Sequence, residues 1–120
     1  MTVVVDTNAL LLPFRSGTDL RGEVERLLGN VAWVVPSCVL EELAILSEGQ
    51  GKDARAAKAA GRLLSDMRIE PTELPGDDGV LDVATRLDAT ILTDDRRLLQ
   101  EAKRRGLRAV RSRGHGLAIN

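Results

Sequence analysis

Val3-Val4-Val5 runs directly into Asp6, and Thr90-Ile91-Leu92-Thr93 runs directly into Asp94-Asp95. Runs this short, this apolar and without alternation suit parallel strands buried on both faces. Val31 to Val35 is a third run of the same kind. A parallel sheet needs a crossover after each strand, and the C-terminal ends of its strands open into the crevice where α/β proteins hold their sites. An acid directly after such a run is therefore delivered to that crevice.

The intervening residues have helical spacing. Asn8 to Phe14 predicts a short helix closed by Arg15-Ser16-Gly17. Thr18 is expected to cap a second helix toward Leu28, with Leu20, Val24, Leu27 and Leu28 on one face and Gly29-Asn30 as the stop. Pro36-Ser37 begins a third, and Gly49-Gln50-Gly51 breaks it. Asp53 is expected to cap an alanine-rich helix reaching about Met67. Ile69 to Leu74, with prolines close by, is at best a short edge strand. Asp77 or Asp78 is expected to cap a helix bearing Val80, Leu81, Ala84 and Leu87. Another helix follows from about Asp95 to Arg105, and Leu107 to Val110 reads as the last strand. The alternation predicts an α/β domain with a mainly parallel central sheet and right-handed crossovers.

A chain of 120 residues with 43% apolar content is expected to form one domain with one core. The formal net charge is −1, so no global field selects a partner. Its distribution is uneven. Eight of the 17 Lys and Arg residues fall between Arg96 and Arg113, where Glu101 is the only acid. The single Cys38 excludes an internal disulfide and fits a reducing compartment. The N-terminus does not resemble a secretion signal, and no apolar run of about 18 residues is present, so a cytoplasmic protein without membrane association is expected. One His and one Cys leave no ligand set for structural zinc, whereas hard carboxylate oxygens favour Mg2+ or Mn2+.

Four segments supply acid at strand or helix ends: Asp6, Glu41-Glu42, Asp77-Asp78 and Asp94-Asp95. Taken singly, an Asp after a strand is more often a helix cap than a ligand, and Glu41-Glu42 suits the positive end of a helix dipole. Capping does not explain the recurrence. Carboxylates gathered at one sheet edge repel one another unless a cation neutralises them, and the joint pattern points to a divalent-metal site.

Val3 to Asn8, Val35 to Leu43, Asp77 to Leu81 and Ile91 to Leu98 resemble, in order and spacing, the successive motifs of the PIN-domain ribonuclease family. The resemblance spans essentially the whole chain and implies one PIN-like domain over residues 1–120, a three-layer α/β/α sandwich, and hydrolysis of RNA phosphodiesters with bound Mg2+ or Mn2+. It assigns the catalytic and metal-holding roles to Asp6, Glu42, Asp77, Asp78 and Asp95. Glu41 and Asp94 become neighbours of the ligands rather than ligands, and Asn8 and Thr93 supporting residues. Many members carry a further acid where this chain has Arg97. The motifs are closer to rRNA-processing and RNA-decay members than to many VapC toxins.

RNA is then expected to be gripped by Arg96, Arg104, Arg105 and Arg108 near the acidic cleft, with Lys52, Arg55, Lys58 and Arg62 as a second basic row. Contacts of this kind hold phosphates without reading sequence. Aromatic content is 2%, so base stacking is scarcely available. Gly49-Gln50-Gly51-Lys52 lacks the flanking residues of a phosphate loop and reads as a flexible connection. His115, between two glycines, reads as surface. Pairing is common among PIN domains, which implies a homodimer, and an antitoxin or a ribosome-assembly protein is the implied further partner. Two rival functions follow: a VapC-type toxin, marked by a neighbouring antitoxin reading frame, and a non-catalytic PIN-like scaffold, which need not bind Mn2+. A phosphoacceptor receiver domain is disfavoured, because it expects an Asp after its third strand and a Lys after its last.

Overall fold

The computed structural model describes residues 1–120. The chain runs β1 (Thr2–Val5), α1 (Thr7–Arg15), α2 (Leu20–Leu28), β2 (Ala32–Pro36), α3 (Ser37–Glu48) and α4 (Lys52–Ala60). A 3-10 segment, Gly61–Asp66, leads to β3 (Arg68–Glu70). Then come α5 (Gly76–Leu87), β4 (Thr90–Leu92), α6 (Arg96–Arg104), β5 (Ala109–Arg113) and β6 (Gly116–Ile119). One six-stranded sheet has the order β3-β2-β1-β4-β5-β6. Every pairing is parallel except β5 with β6.

The strands form where the apolar runs predict them. Val3, Val4, Val5, Val35, Ile91 and Leu92 are wholly buried, because β1 and its neighbours are covered on both faces. From β1 the chain moves outward through β2 to β3, then returns past β1 to β4 and β5. With right-handed crossovers this reversal puts the helices before β3 and those after it on opposite faces, giving the α/β/α sandwich. The reversal point lies between β1 and β4, where a crevice opens beyond the strand ends.

Helix ends depart from the sequence reading in three places. Asp19, not Thr18, caps α2, accepting from the Gly22 amide at 3.1 Å. Gly51, not Asp53, precedes α4, and Asp53 instead pairs with Arg15 at 3.0 Å. Neither Asp77 nor Asp78 caps α5; Pro75 is the cap, and both acids lie inside the first turn. Asp19 has a capping propensity like that of Thr18 and Gly51 has the backbone freedom for its φ of +92°, whereas Pro75 starts α5 through its fixed extended backbone without a side-chain cap. The alanine-rich helix is also shorter than expected, tightening into the 3-10 turn from Gly61.

The larger difference is at the C-terminus. The last parallel strand begins at Ala109 rather than Leu107, and it is followed by a hairpin partner, β6, across Gly114-His115. Gly114 has φ +61°, the left-handed conformation that a two-residue hairpin turn requires. Arginine-rich flanks conceal this hairpin from a reading based on apolar runs. It is held to α2: Glu23 accepts from the Leu117 amide at 2.8 Å, and Arg26 donates to the Leu117 carbonyl at 3.0 Å. The apolar face of α2 is spent internally, with Leu20 and Val24 buried and Leu27 and Leu28 packed on the core.

Candidate active site

Residues at the C-terminal sheet edge start their helices almost at once. Asp6 follows β1 and precedes α1, Ser37 opens α3 directly after β2, and Asp95 follows β4 and precedes α6. Helix N-termini carry unpaired amides and a positive dipole end, so this edge tolerates negative charge that a strand end alone would not.

Asp6 is the innermost acid, 6% exposed. Oδ1 accepts from the Ala9 amide at 2.8 Å, and Oδ2 accepts from the Thr93 hydroxyl. Asp6 thus caps α1 as expected of an acid after a strand, and the cap holds it buried at the strand end. Burial pushes its carboxyl up to about 6, against the two hydrogen bonds, and the charges of Asp77 and Asp94 push the same way. Asp77 is likewise raised, first by its own desolvation and then by the charge of Asp95, with Glu42 and Asp78 adding to it and Arg97 opposing. Glu42 lies close to the start of α5: its Oε1 is 4.0 Å from where a Cβ on Gly76 would stand. Acids from β1, α3, α5 and the β4–α6 junction thus share one electrostatic neighbourhood.

Within each doublet one acid is turned toward the protein. Glu42, Asp77 and Asp95 are half-buried, whereas Glu41, Asp78 and Asp94 are exposed. Thr7 explains Glu42, because its hydroxyl donates to Oε2 at 2.8 Å. Asp95 is oriented by capping α6, accepting from the Leu98 amide at 3.2 Å. Asp94 is drawn to β5, where it accepts from the Ser112 amide at 2.6 Å and the Ser112 hydroxyl at 2.5 Å. Cys38, four residues before Glu42 on α3, is buried with its thiol 3.6 Å from the Gly76 carbonyl. Burial and the Glu42 charge raise its pKa, so it stays a thiol and supplies no thiolate.

Thr93 sits at the centre of this arrangement. Its hydroxyl donates to Asp6 and accepts from the Asp95 amide at 3.0 Å, which ties the end of β1 to the start of α6. The hydroxyl proton is therefore committed to Asp6. Asn8 is exposed, and its carbonyl oxygen accepts from Arg15 at 3.1 Å. Thr7 and Ser112 were the residues that motif reading passed over. Thr7 stands inside the Asp6-Thr7-Asn8 segment and was legible there; Ser112 depends on the hairpin and was not.

The basic candidates divide. Arg97, Arg104 and Arg105 line a groove of about 480 Å3 with Asp77, Asp78 and Gln100, but Arg96 does not line it. Glu101 is gripped by Arg104 and by Arg105, the latter at 3.0 Å. Arg108 is not among the residues lining this groove. It precedes Ala109, which is level with Ile91, so its backbone lies at the N-terminal end of the strands, about 10 Å back along the sheet from Asp6 at the usual rise. Lys52, Arg55, Lys58 and Arg62 are exposed along α4 and the turn after it.

The hard oxygen donors and their mutual repulsion, only partly offset by Arg97, suit a divalent cation. No three His, Cys, Asp or Glu side chains, however, stand close enough together to make a ready-formed cation site. The acids ring the crevice without closing on its centre.

Comparison with known proteins agrees with this architecture. A family model described as a PIN-like domain matches residues 3–115. Ribonuclease VapC9 of Archaeoglobus fulgidus is 31% identical over 105 residues, spanning 87% of this chain and 77% of the relative. The PIN domain endonuclease Utp24 superposes with a TM-score of 0.80 at 20% identity, covering 99% of this chain and 90% of that one. VapBC2 from Rickettsia felis, solved with a DNA fragment from its promoter, gives 0.69 at 19% identity, over 94% of this chain and 100% of that one. At such identities the two structures speak for the fold, while the family model and the archaeal relative speak for descent. This chain belongs to the PIN-like domain family.

Proposed function

We propose that this protein is a divalent-metal-dependent endoribonuclease that hydrolyses RNA phosphodiester bonds. The observation that carries the reading is the shared electrostatic neighbourhood of Asp6, Glu42, Asp77 and Asp95, drawn from four separate segments. A relative that is 31% identical is named a ribonuclease, which supports RNA as the substrate.

Asp6, Glu42, Asp77 and Asp95 would hold Mg2+ or Mn2+, with Asp78 at the exposed margin. Such an ion lowers the pKa of bound water and offsets charge on the attacked phosphate. The chain's own residues fix the donors. Thr93 and the Ala9 amide hold both oxygens of Asp6, Thr7 holds one oxygen of Glu42, and the Leu98 amide holds one oxygen of Asp95. Repulsion keeps the carboxylates apart when nothing neutralises them, and it favours cation entry.

The first setting we propose is RNA processing or turnover, including rRNA maturation, in the cytoplasm. It is supported by the doubled Asp77-Asp78 and the Thr93-Asp94-Asp95-Arg96 segment, whose motifs are closer to rRNA-processing and RNA-decay members of the family. A second reading, a VapC-type toxin restrained by an antitoxin, is favoured by identity to the archaeal relative. RNA is the proposed substrate in both. A homodimer is proposed as the assembly, with an antitoxin or a ribosome-assembly protein as the further partner.

The test is Mn2+-dependent cleavage of cellular RNA, with Asp6→Asn as the control. Wild type is expected to cleave, and chelator or Asp6→Asn to stop it. Equal cleavage by both proteins would remove this site from the reaction.

A further inference from the structure

Most arginines of this protein near an acid are already paired. Arg15 pairs with Asp53, Arg21 with Asp66, Arg26 with Glu23, Arg68 and Arg86 with Glu70, and Arg104 and Arg105 with Glu101. Arg97 differs. It is exposed, it lines the groove with Asp77 and Asp78, and no carboxylate lies within ion-pair distance of it. Its charge nonetheless reaches Asp77 and offsets part of the repulsion there. It is a cation in the second position of α6, whose N-terminus faces the same crevice.

An RNA strand approaching a ring of carboxylates meets repulsion, and a cation committed to a carboxylate has little left for phosphate. Glu101 accepts from both Arg104 and Arg105, so those two bring less free charge than their number suggests. Gln100 lies between Arg97 and the Glu101 cluster along the same groove and adds neutral hydrogen-bonding capacity. The groove therefore has one cation outside any ion pair at its acidic end, and at the other two arginines that share the single Glu101. A guanidinium also matches phosphate oxygens in a bidentate fork, which an ammonium does not.

We infer that Arg97 is the residue that receives an RNA backbone phosphate beside the acidic cluster, with the strand running along α6 past Gln100. This rests on the nuclease reading and adds to it the path of the substrate and the side chain that fixes it. The site then admits a polyanion by means of a fixed positive charge that belongs to the chain itself.

The experiment is equilibrium binding of a short fluorescent single-stranded RNA in chelator at several salt concentrations, for wild type, Arg97→Ala, Arg97→Lys and Arg104→Ala. Arg97→Ala is expected to weaken binding about tenfold and to lower the slope of log K against log salt by about one. Arg97→Lys should keep the slope and lose part of the affinity, because charge remains and the fork does not. Arg104→Ala should weaken binding less than Arg97→Ala does, because Glu101 shares that side chain; an equal or larger loss would place the main phosphate contact at the other end of the groove. Unchanged melting of Arg97→Ala would show that the loss is in contact rather than in folding. If Arg97→Ala keeps wild-type affinity and slope while wild type binds and cleaves RNA, the inference falls and the nuclease reading stands. If wild type neither binds nor cleaves RNA, both fall.

Discussion

A single buried carboxylate carries the sharpest residue-scale consequence. Asp6 has its pKa raised from 3.8 to about 6 by burial, so the folded protein binds that proton more tightly than the unfolded chain does. Stability without metal therefore falls as pH rises from about 4 to about 6, and the cost stands in full above that. Asp6→Asn keeps an acceptor for the Ala9 amide and removes the charge. It should raise metal-free stability by about 1–2 kcal/mol at pH 7.5 and by much less at pH 4.5, measured by denaturant unfolding in chelator. Activity should move the other way, with Asp6→Asn, Glu42→Gln and Asp95→Asn each lowering Mn2+-dependent cleavage by on the order of a hundredfold or more. Glu41→Gln and Asp94→Asn should cost less than about tenfold, because Glu41 points about 100° around α3 from Glu42 and Asp94 is turned to Ser112 on β5. The reverse ranking would place the acids one residue out of register. Motif spacing favours Glu42 over Glu41 and Asp95 over Asp94 and keeps both Asp77 and Asp78, while the fold turns Glu42, Asp77 and Asp95 inward. The hydroxyls that enforce it, Thr7 and Thr93, depend on contacts 35 and 87 residues away in sequence and were only half legible.

Among the elements, α5 is seated against backbone that cannot give way. A Cβ on Gly79 would stand 2.4 Å from the Leu74 carbonyl oxygen and 2.5 Å from the Cys38 sulfur. Gly79→Ala should therefore destabilise the fold by about 1–3 kcal/mol and shift Asp77 with the helix. Gly61, by contrast, has helical backbone angles and nothing within 4 Å of its Cβ position. Gly61→Ala should be neutral or stabilising by up to about 1 kcal/mol, and unfolding curves of the pair would check both signs. The hairpin is the other exposed dependency. Arg26 and the Leu117 amide hold the Glu23 carboxyl down to about 2, so this anchorage is complete above about pH 4.5 and is lost as pH falls through about 2. Glu23→Gln should bring faster amide exchange at Leu117 at neutral pH, with β1 and β4 unchanged; equal protection would mean that the hairpin stands without α2. The strands were readable because burial on both faces leaves unbroken apolar runs. Helix starts were less so, because capping propensity is shared by neighbours such as Thr18 and Asp19.

At the scale of the molecule, pairing with a second copy has to use a surface other than α2, whose apolar face is internal. Phe14 on α1 and Ile45 on α3 remain 43% and 69% exposed. Light scattering coupled to gel filtration should give a dimer, and Phe14→Ser with Ile45→Ser should give a monomer. A wild-type monomer would end the dimer proposal. The order of the sheet has a consequence in time. β1 precedes the other strands of this sheet in sequence, yet it lies between β2 and β4, and Val3, Val4 and Val5 have no finished environment until residues 90–92 exist. The Asp6–Thr93 bond cannot form earlier either. Closing a loop of that length delays the central pairing. A nascent chain that stops short of β4 already carries Asp6, Glu42 and Asp77 but has neither Thr93 nor Asp95, so the acidic cluster is completed by the segment that also completes the sheet around β1.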